Sequence, residues 1–310
     1  MAGQIDIVVA GNITIDDMVL PDGRTQMAVT GGDVLYAALA ARLWGGSVGM
    51  LSRIGSDFPE ENLQRCAAQG LDITGMVRCV GPSIRNWIVY EYDGRRTFID
   101  RVEGRMAALS PGWDDVPDQY RRAGAVFLAA MCIESQLELA QNFKAAGATV
   151  LLDPYEQDAS DKRELVYRAL AHTDIFLPSE EEVRRLTGQN APDFEAAARH
   201  FADYGPHTVV IKLGDRGALI YQKRGDRTTY LPCVERVQVV DVTGAGDSFG
   251  GGFTAGWQQT GSAAEAALRG TVSSSIAIEA FGSVPLLQAT GEQAAQRLAA
   301  LRRQIQKTGA

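Results

Sequence analysis

Short runs of β-branched and aliphatic residues recur along the chain, and segments of helical period separate them. Residues 5–10 (IDIVVA) form the first run, which stops at Gly11 and predicts a buried strand. Comparable runs at 48–54, 125–130, 149–152, 175–177 and 208–213 predict further strands, and 33–43 and 181–186 predict helices among them. Strands alternating with helices imply a mostly parallel sheet covered on both faces. Two stretches break this rhythm. Residues 15–30 carry Pro21-Asp22-Gly23 between short strand-like runs, a turn signal. Residues 85–101 place Trp87, Val89 and Glu91, then Asp93-Gly94, then Thr97, Ile99 and Arg101, which reads as a second hairpin with a D-G turn. Two hairpins inserted in an α/β frame predict a small β flap, spanning about 12–30 and 84–102, beside the strand ends where ligands bind.

With 310 residues, 45% of them hydrophobic, the chain can bury a sizeable core. No repeat, low-complexity block or flexible linker divides it, so a single domain over 1–310 is expected. A net charge of −8 argues against a general nucleic-acid binder, which needs a basic stripe, but leaves room for an anion held by backbone amides. Cys66, Cys79, Cys132 and Cys233 are too scattered for a zinc site or a disulfide framework. No Lys or Arg precedes Arg24, and the longest apolar run, 125–133, is far too short to span a membrane. A cytoplasmic protein without a membrane partner is expected.

The most informative segment is 237–256, VQVVDVTGAGDSFGGGFTAG. An apolar run, 237–240, reads as a strand ending at Asp241. A glycine-bearing loop (Thr243, Gly244, Ala245, Gly246) follows, and Asp247 opens a helix. Such an order gathers free N–H groups and the positive helix end at one point, where an anion belongs. Asp247 there is either an ordinary helix-start carboxylate or a base positioned to take a proton from a hydroxyl during phosphoryl transfer. In the second reading the amides of 244–247 stabilise charge on the transferring oxygens.

Rival motifs fail. A dinucleotide fingerprint would need glycine where Phe249 stands, and a Walker loop needs a Gly-Lys pair, which the chain lacks. Residues 246–250, G-D-S-F-G, do fit the G-x-S-x-G nucleophile elbow. In hydrolases of that type the histidine follows the serine, whereas His172, His200 and His207 all precede Ser248.

The segment Asp241-Val-Thr-Gly-Ala-Gly-Asp247 resembles the D-T-x-G-A-G-D signature of the ribokinase-like, or PfkB, carbohydrate kinases. Other motifs recur in the family's order: Gly31-Gly32 before a helix ending Ala41-Arg-Leu-Trp-Gly45, Pro178-Ser-Glu-Glu-Glu182, and Ile211-Lys-Leu-Gly-Asp-Arg-Gly217. The resemblance spans roughly 5–285 and implies a three-layer α/β/α sandwich with a β-hairpin lid. It implies ATP and Mg²⁺, often with a monovalent cation such as K⁺ near the signature loop, and dimers that pair through the lid. By the resemblance Asp247 is the catalytic base, and Gly244, Ala245 and Gly246 form the anion hole. Asp241 and the backbone of Thr243 belong to the cation loop, and Glu182 helps organise Mg²⁺ through water. Lys212, Gly214 and Gly217 lie on the nucleotide side. Asp16, Gly31, Gly32, Asp33 and Glu134 fall on the sugar side.

The departures concern the substrate. Thr14 stands in place of an asparagine of ribokinase, Asp33 and Tyr36 occupy the helix that carries polar sugar-binding groups, and Ser179 replaces the asparagine of the P-N-x-x-E element. Ribose itself is therefore doubtful. Arg101 resembles lid arginines of relatives acting on keto-deoxy sugar acids, a residue suited to a carboxylate, and fits a solvated strand position equally. The expected function is ATP-dependent phosphorylation of a hydroxyl on a small sugar-like molecule. A nucleoside or vitamin kinase of the same superfamily would instead hold a base between lid aromatics, for which Trp87, Tyr90 and Tyr92 are available. A ligand sensor on this scaffold is a third reading.

Overall fold

The computed structural model describes residues 5–92 and 95–308. Strands β1 (Ile7–Ala10), β4 (Val48–Ile54), β5 (Asp72–Arg78), β8 (Ala125–Leu128), β9 (Thr149–Leu152), β10 (Ile175–Phe176), β11 (Thr208–Lys212), β12 (Ala218–Gln222) and β13 (Arg227–Leu231) form one sheet. Its order is β13-β12-β11-β10-β9-β8-β1-β4-β5. All neighbours run parallel except β11–β12 and β12–β13, which are antiparallel. The parallel strands read as continuous apolar runs because both faces are covered. Ile7, Val9, Met50 and Phe127 pack into one core with the helices Asp33–Arg42, Ala245–Thr260 and Ala263–Ala277. Val8, Ala10, Leu51 and Val126 face the other core, under Ile133–Ala145, Arg163–Leu170 and Phe194–Asp203. The expected α/β/α layering is present.

The hairpins make a separate four-stranded sheet, in the order β3-β2-β6-β7, from β2 (Thr14–Val19), β3 (Thr25–Gly31), β6 (Ile84–Tyr90) and β7 (Arg96–Asp100). Each hairpin is antiparallel within itself, and the parallel pairing of β2 with β6 joins them. The Asp93-Gly94 turn lies outside the described residues. Met18, Leu20, Ile88 and Tyr90 form a small core of their own that reaches Phe281. The flap is thus seated on the main body.

One expectation is corrected. Residues 237–240 are not a strand but an irregular connection, with Val239 60% exposed and, among the described residues, only the amides of Val240 and Asp241 tied, to Ile278 O. A short apolar run shows no period that separates a strand from a tethered loop.

The glycines after Asp247 serve packing. A Cβ on Gly251 would collide with Ala37 O, one on Gly250 with the Phe127 ring, and one on Gly252 with Ser273 Oγ. The helix Ala245–Thr260 can therefore press directly on Asp33–Arg42, on β8 and on Ala263–Ala277. We expect Gly251→Ala to destabilise the fold by about 1–3 kcal/mol, the usual cost of overpacking, although alanine is the better helix former. Chemical denaturation would show this, and a stabilised variant would contradict the packing account.

Candidate active site

The strand order reverses beside β1: the chain leaves it for β4 and returns to its other side at β8, which makes a crevice at their C-terminal ends. Asp16, on β2, points into this region and is 4% exposed. Its carboxylate accepts Thr14 Oγ1–H at 2.9 Å and Asn86 Nδ2–H at 3.0 Å. Burial pushes its pKa up to about 6 against the pull of these two donors. Thr14 thus holds the acid in place. A Cβ on Gly31 would strike Asp16 Oδ2, and Gly32, at φ 95°, turns the chain into the helix Asp33–Arg42. Asp33, in the first turn of that helix, is held well above the usual carboxylate range by burial and by the neighbouring charge of Asp247. Asp16 contributes to the same field, so Asp33 stands between the Asp16 side and the Asp247 side of the crevice.

Gly244 caps the helix Ala245–Thr260 at φ 72°, which favours glycine. A Cβ there would also drive into the ring of Tyr36. The bare backbone of Gly244 therefore makes room for an aromatic side chain as well as for a turn. The amides of Ala245, Gly246 and Asp247 begin the helix, and the Asp247 carboxylate lies in its first turn. Burial, with the charge of Asp153, raises Asp247 to about 6, while Lys212 opposes the shift. A Cβ on Gly246 would sit 3.3 Å from Lys212 Nζ, so that ammonium stands directly beside the loop amides.

Lys212, the last residue of β11, is the centre of the cluster. Its ammonium pairs with Asp153, which follows β9 and has a side chain only 6% exposed. Burial alone would lower the lysine, but Asp153 and Glu182 overcome it and keep the ammonium charged. Glu182 starts the helix Glu180–Thr187 in a reciprocal cap with Ser179: Ser179 N donates to Glu182 Oε2, and Glu182 N donates to Ser179 Oγ. Burial and the Asp153 charge raise Glu182 to about 7. Asp153 was not among the sequence candidates. The available signal was an acidic residue just past the end of a buried parallel strand.

Asp241 is 3% exposed and closes the loop from the other side. It accepts N–H groups of Thr243 at 2.9 Å and Gly282 at 3.2 Å, and the Tyr90 hydroxyl at 3.0 Å. Gly214 and Gly217 form the tight turn after Lys212, at φ 62° and 88°. Other sequence candidates are committed elsewhere. Glu134 pairs with Lys162 at 3.0 Å on the surface. Arg101 pairs with Asp17 in the bulge of β2 and lies 5.5 Å over the Trp87 ring. Of the lid aromatics, Trp87 holds that arginine, Tyr90 bonds the loop, and Tyr92 is 85% exposed. Ser248 is buried and donates to Gly244 O at 2.6 Å, which removes it as a nucleophile.

The acids Asp153, Glu182 and Asp247 around one lysine form an oxygen-rich set, and Asp153 Oδ1 is buried without a hydrogen-bond partner among the described residues. No three His, Cys, Asp or Glu side chains among the described residues gather closely enough to hold a metal by themselves. Such a site fits Mg²⁺, which usually retains waters and substrate phosphates and takes only one or two carboxylates.

The sequence signature of the pfkB family carbohydrate kinases matches residues 6–289, and the chain belongs to that family. It is accordingly a phosphotransferase. Cytidine kinase of Thermococcus kodakarensis is 33% identical over 257 residues, 83% of this chain and 90% of its own. Deoxyribokinase of Salmonella typhi is 29% identical over 288 residues, 86% and 90% of the two chains. The structure of Arabidopsis thaliana ribokinase complexed with ribose and ATP has the same fold, with a TM-score of 0.79 at 23% identity over 96% of this chain and 99% of that one.

Lys212→Met leaves Asp153 as an uncompensated buried charge. It should destabilise the protein by about 3–5 kcal/mol, and adding Asp153→Asn should recover much of that. Denaturant titration of the single and double variants would check both signs.

Proposed function

We propose that the protein transfers the γ-phosphate of ATP to a hydroxyl of a small sugar or sugar-like substrate, with Asp247 as the base. The reading rests on one arrangement: a half-buried carboxylate in the first turn of a helix whose leading amides lie beside a half-buried ammonium. The acceptor hydroxyl donates its proton to Asp247 as its oxygen attacks phosphorus. The amides of 244–247 and Lys212 stabilise charge on the transferring oxygens. Asp16 accepts hydroxyls of the acceptor while Thr14 and Asn86 fix its orientation. Gly31 and Gly32 keep the floor of the crevice low, and burial with the neighbouring charge of Asp247 holds the Asp33 carboxyl well above the usual carboxylate range. Lys212, Gly214 and Gly217 belong to the ATP side, and Glu182 and Asp153 would hold Mg²⁺ through water. When bound, Mg²⁺ would neutralise charge on the phosphates.

Arg101, held by Asp17 and Trp87, is not available to grip a sugar-acid carboxylate, which favours a neutral polyol. A second reading, a nucleoside acceptor, has the cytidine kinase likeness in its favour. It shares every step at Asp247 and differs only in what fills the space beyond Asp16. Since Trp87 and Tyr90 are engaged elsewhere and Tyr92 is 85% exposed, a base would need another platform. Measuring ADP release across sugars, sugar acids and nucleosides separates these readings. Turnover with a sugar or a nucleoside supports one or the other, and turnover only with sugar acids would overturn the assignment of Arg101.

Asp247→Asn should fold, bind ATP and lose about 10²–10⁴-fold in kcat. A kcat within a few-fold of wild type would remove Asp247 from this role. Because burial raises Asp247 and Asp16 each to about 6 and both act as acceptors, kcat/KM should fall as pH drops through that value. The fall should be steeper than one proton explains, and Asp16→Asn should flatten it. Because burial raises the folded pKa of Asp247 above that of an ordinary carboxylate, ionising it costs stability as pH rises from the ordinary value to about 6. Asp247→Asn should therefore melt no lower than wild type at neutral pH.

A further inference from the structure

Family resemblance places a monovalent cation beside the signature loop, and the residues here do not fit one. Both oxygens of Asp241 already face donors. Oδ1 takes the Thr243 amide at 2.9 Å and lies 3.9 Å from Arg96 Nη1; Oδ2 takes the Tyr90 hydroxyl at 3.0 Å and the Gly282 amide at 3.2 Å. Arg96 Nη1 also donates to Thr243 Oγ1 at 2.8 Å, and that oxygen lies 3.0 Å from Tyr90 Oη. A soluble cation needs oxygens that point inward with free lone pairs. Here N–H and O–H groups point inward, and a full positive charge already stands at the place. The Asp241 side chain is 1% exposed and that of Arg96 26%, so the guanidinium closes the opening towards solvent.

We infer that the guanidinium of Arg96 does the work of a monovalent cation at the Asp241–Gly244 loop, so that the enzyme needs no K⁺. Arg96 and Tyr90 face each other as a register pair of β6 and β7, so both groups arrive from one cross-strand rung of the lid. The charge that steadies the loop is therefore delivered by the lid rather than by the medium. Phe98 flanks the guanidinium, its ring centre 5.8 Å from Cζ, and restricts where it can go. Arginine suits this duty because it stays charged at any working pH and its planar fork can serve a hydroxyl and a carboxylate together. This inference rests on the anion-hole reading of Gly244–Asp247, and the experiment separates the two.

Turnover and melting temperature of the wild type are measured in K⁺ and in tetramethylammonium salts at matched ionic strength, with Arg96→Ala and Asp247→Asn alongside. Neither wild-type quantity should change between the salts. Arg96→Ala should lose activity in tetramethylammonium and regain roughly 5-fold or more in K⁺ or in dilute guanidinium, an ordinary size for coupling between two sites. Its melting temperature should also rise with K⁺. Wild-type turnover or melting temperature that climbs with K⁺ overturns the inference, whatever the variants do. So does an Arg96→Ala variant that answers neither to K⁺ nor to guanidinium. Full activity of Asp247→Asn would instead sink the anion-hole reading, while the melting temperatures would still report on the cation.

Discussion

The site depends on one ammonium, on a side chain only 14% exposed. Lys212 is the cation that Asp153 touches, and its field reaches Glu182 and Asp247 as well. Removing carboxylates from water is costly unless a partner answers them, and one lysine cannot answer three. Burial, and after it the charge of Asp153, lifts the other two acids: Asp247 to about 6 and Glu182 to about 7. A carboxylate with an ordinary pKa would be a poor acceptor for a hydroxyl proton. One raised this far remains mostly ionised near neutrality and is a better base. The same shortage of positive charge leaves a place that a metal–nucleotide complex could fill.

Much of this frame is legible in the sequence because the buried strands have no alternative. Residues 7–10, 125–128 and 150–152 are apolar on consecutive positions, as a sheet covered on both faces requires. The Asp247 loop is equally legible, since its glycines and acid occupy fixed offsets at a helix start. Residues 237–240 show the limit: they are as apolar as a strand, yet only contacts with Ile278 and exposure to solvent decide their form. Charged candidates were harder still. Glu134 and Arg101 looked available, but Lys162 and Asp17 lie near them only in space. Asp153 was overlooked for the converse reason, its partner being 59 residues further along.

The lid is more than a cover. Tyr90 belongs to its small core, stacks edge-on against Phe281 at 5.3 Å, and at the same time bonds Asp241. One side chain thus spans the apolar seat of the lid and the polar loop below it. A lid that shifted could not do so without loosening the turn that precedes Gly244. Order in the Asp241–Gly244 turn and position of the small sheet are parts of one arrangement.

The glycine face of the helix Ala245–Thr260 has a mechanical consequence. Where Gly251 meets Ala37 backbone to backbone, no layer of side chains remains to act as a lubricant. The helix bearing Asp247 and the helix bearing Asp33 therefore behave as a welded block that resists sliding. Sliding of these two helices past each other would break that close approach, so the two sides of the crevice that they carry keep a fixed offset.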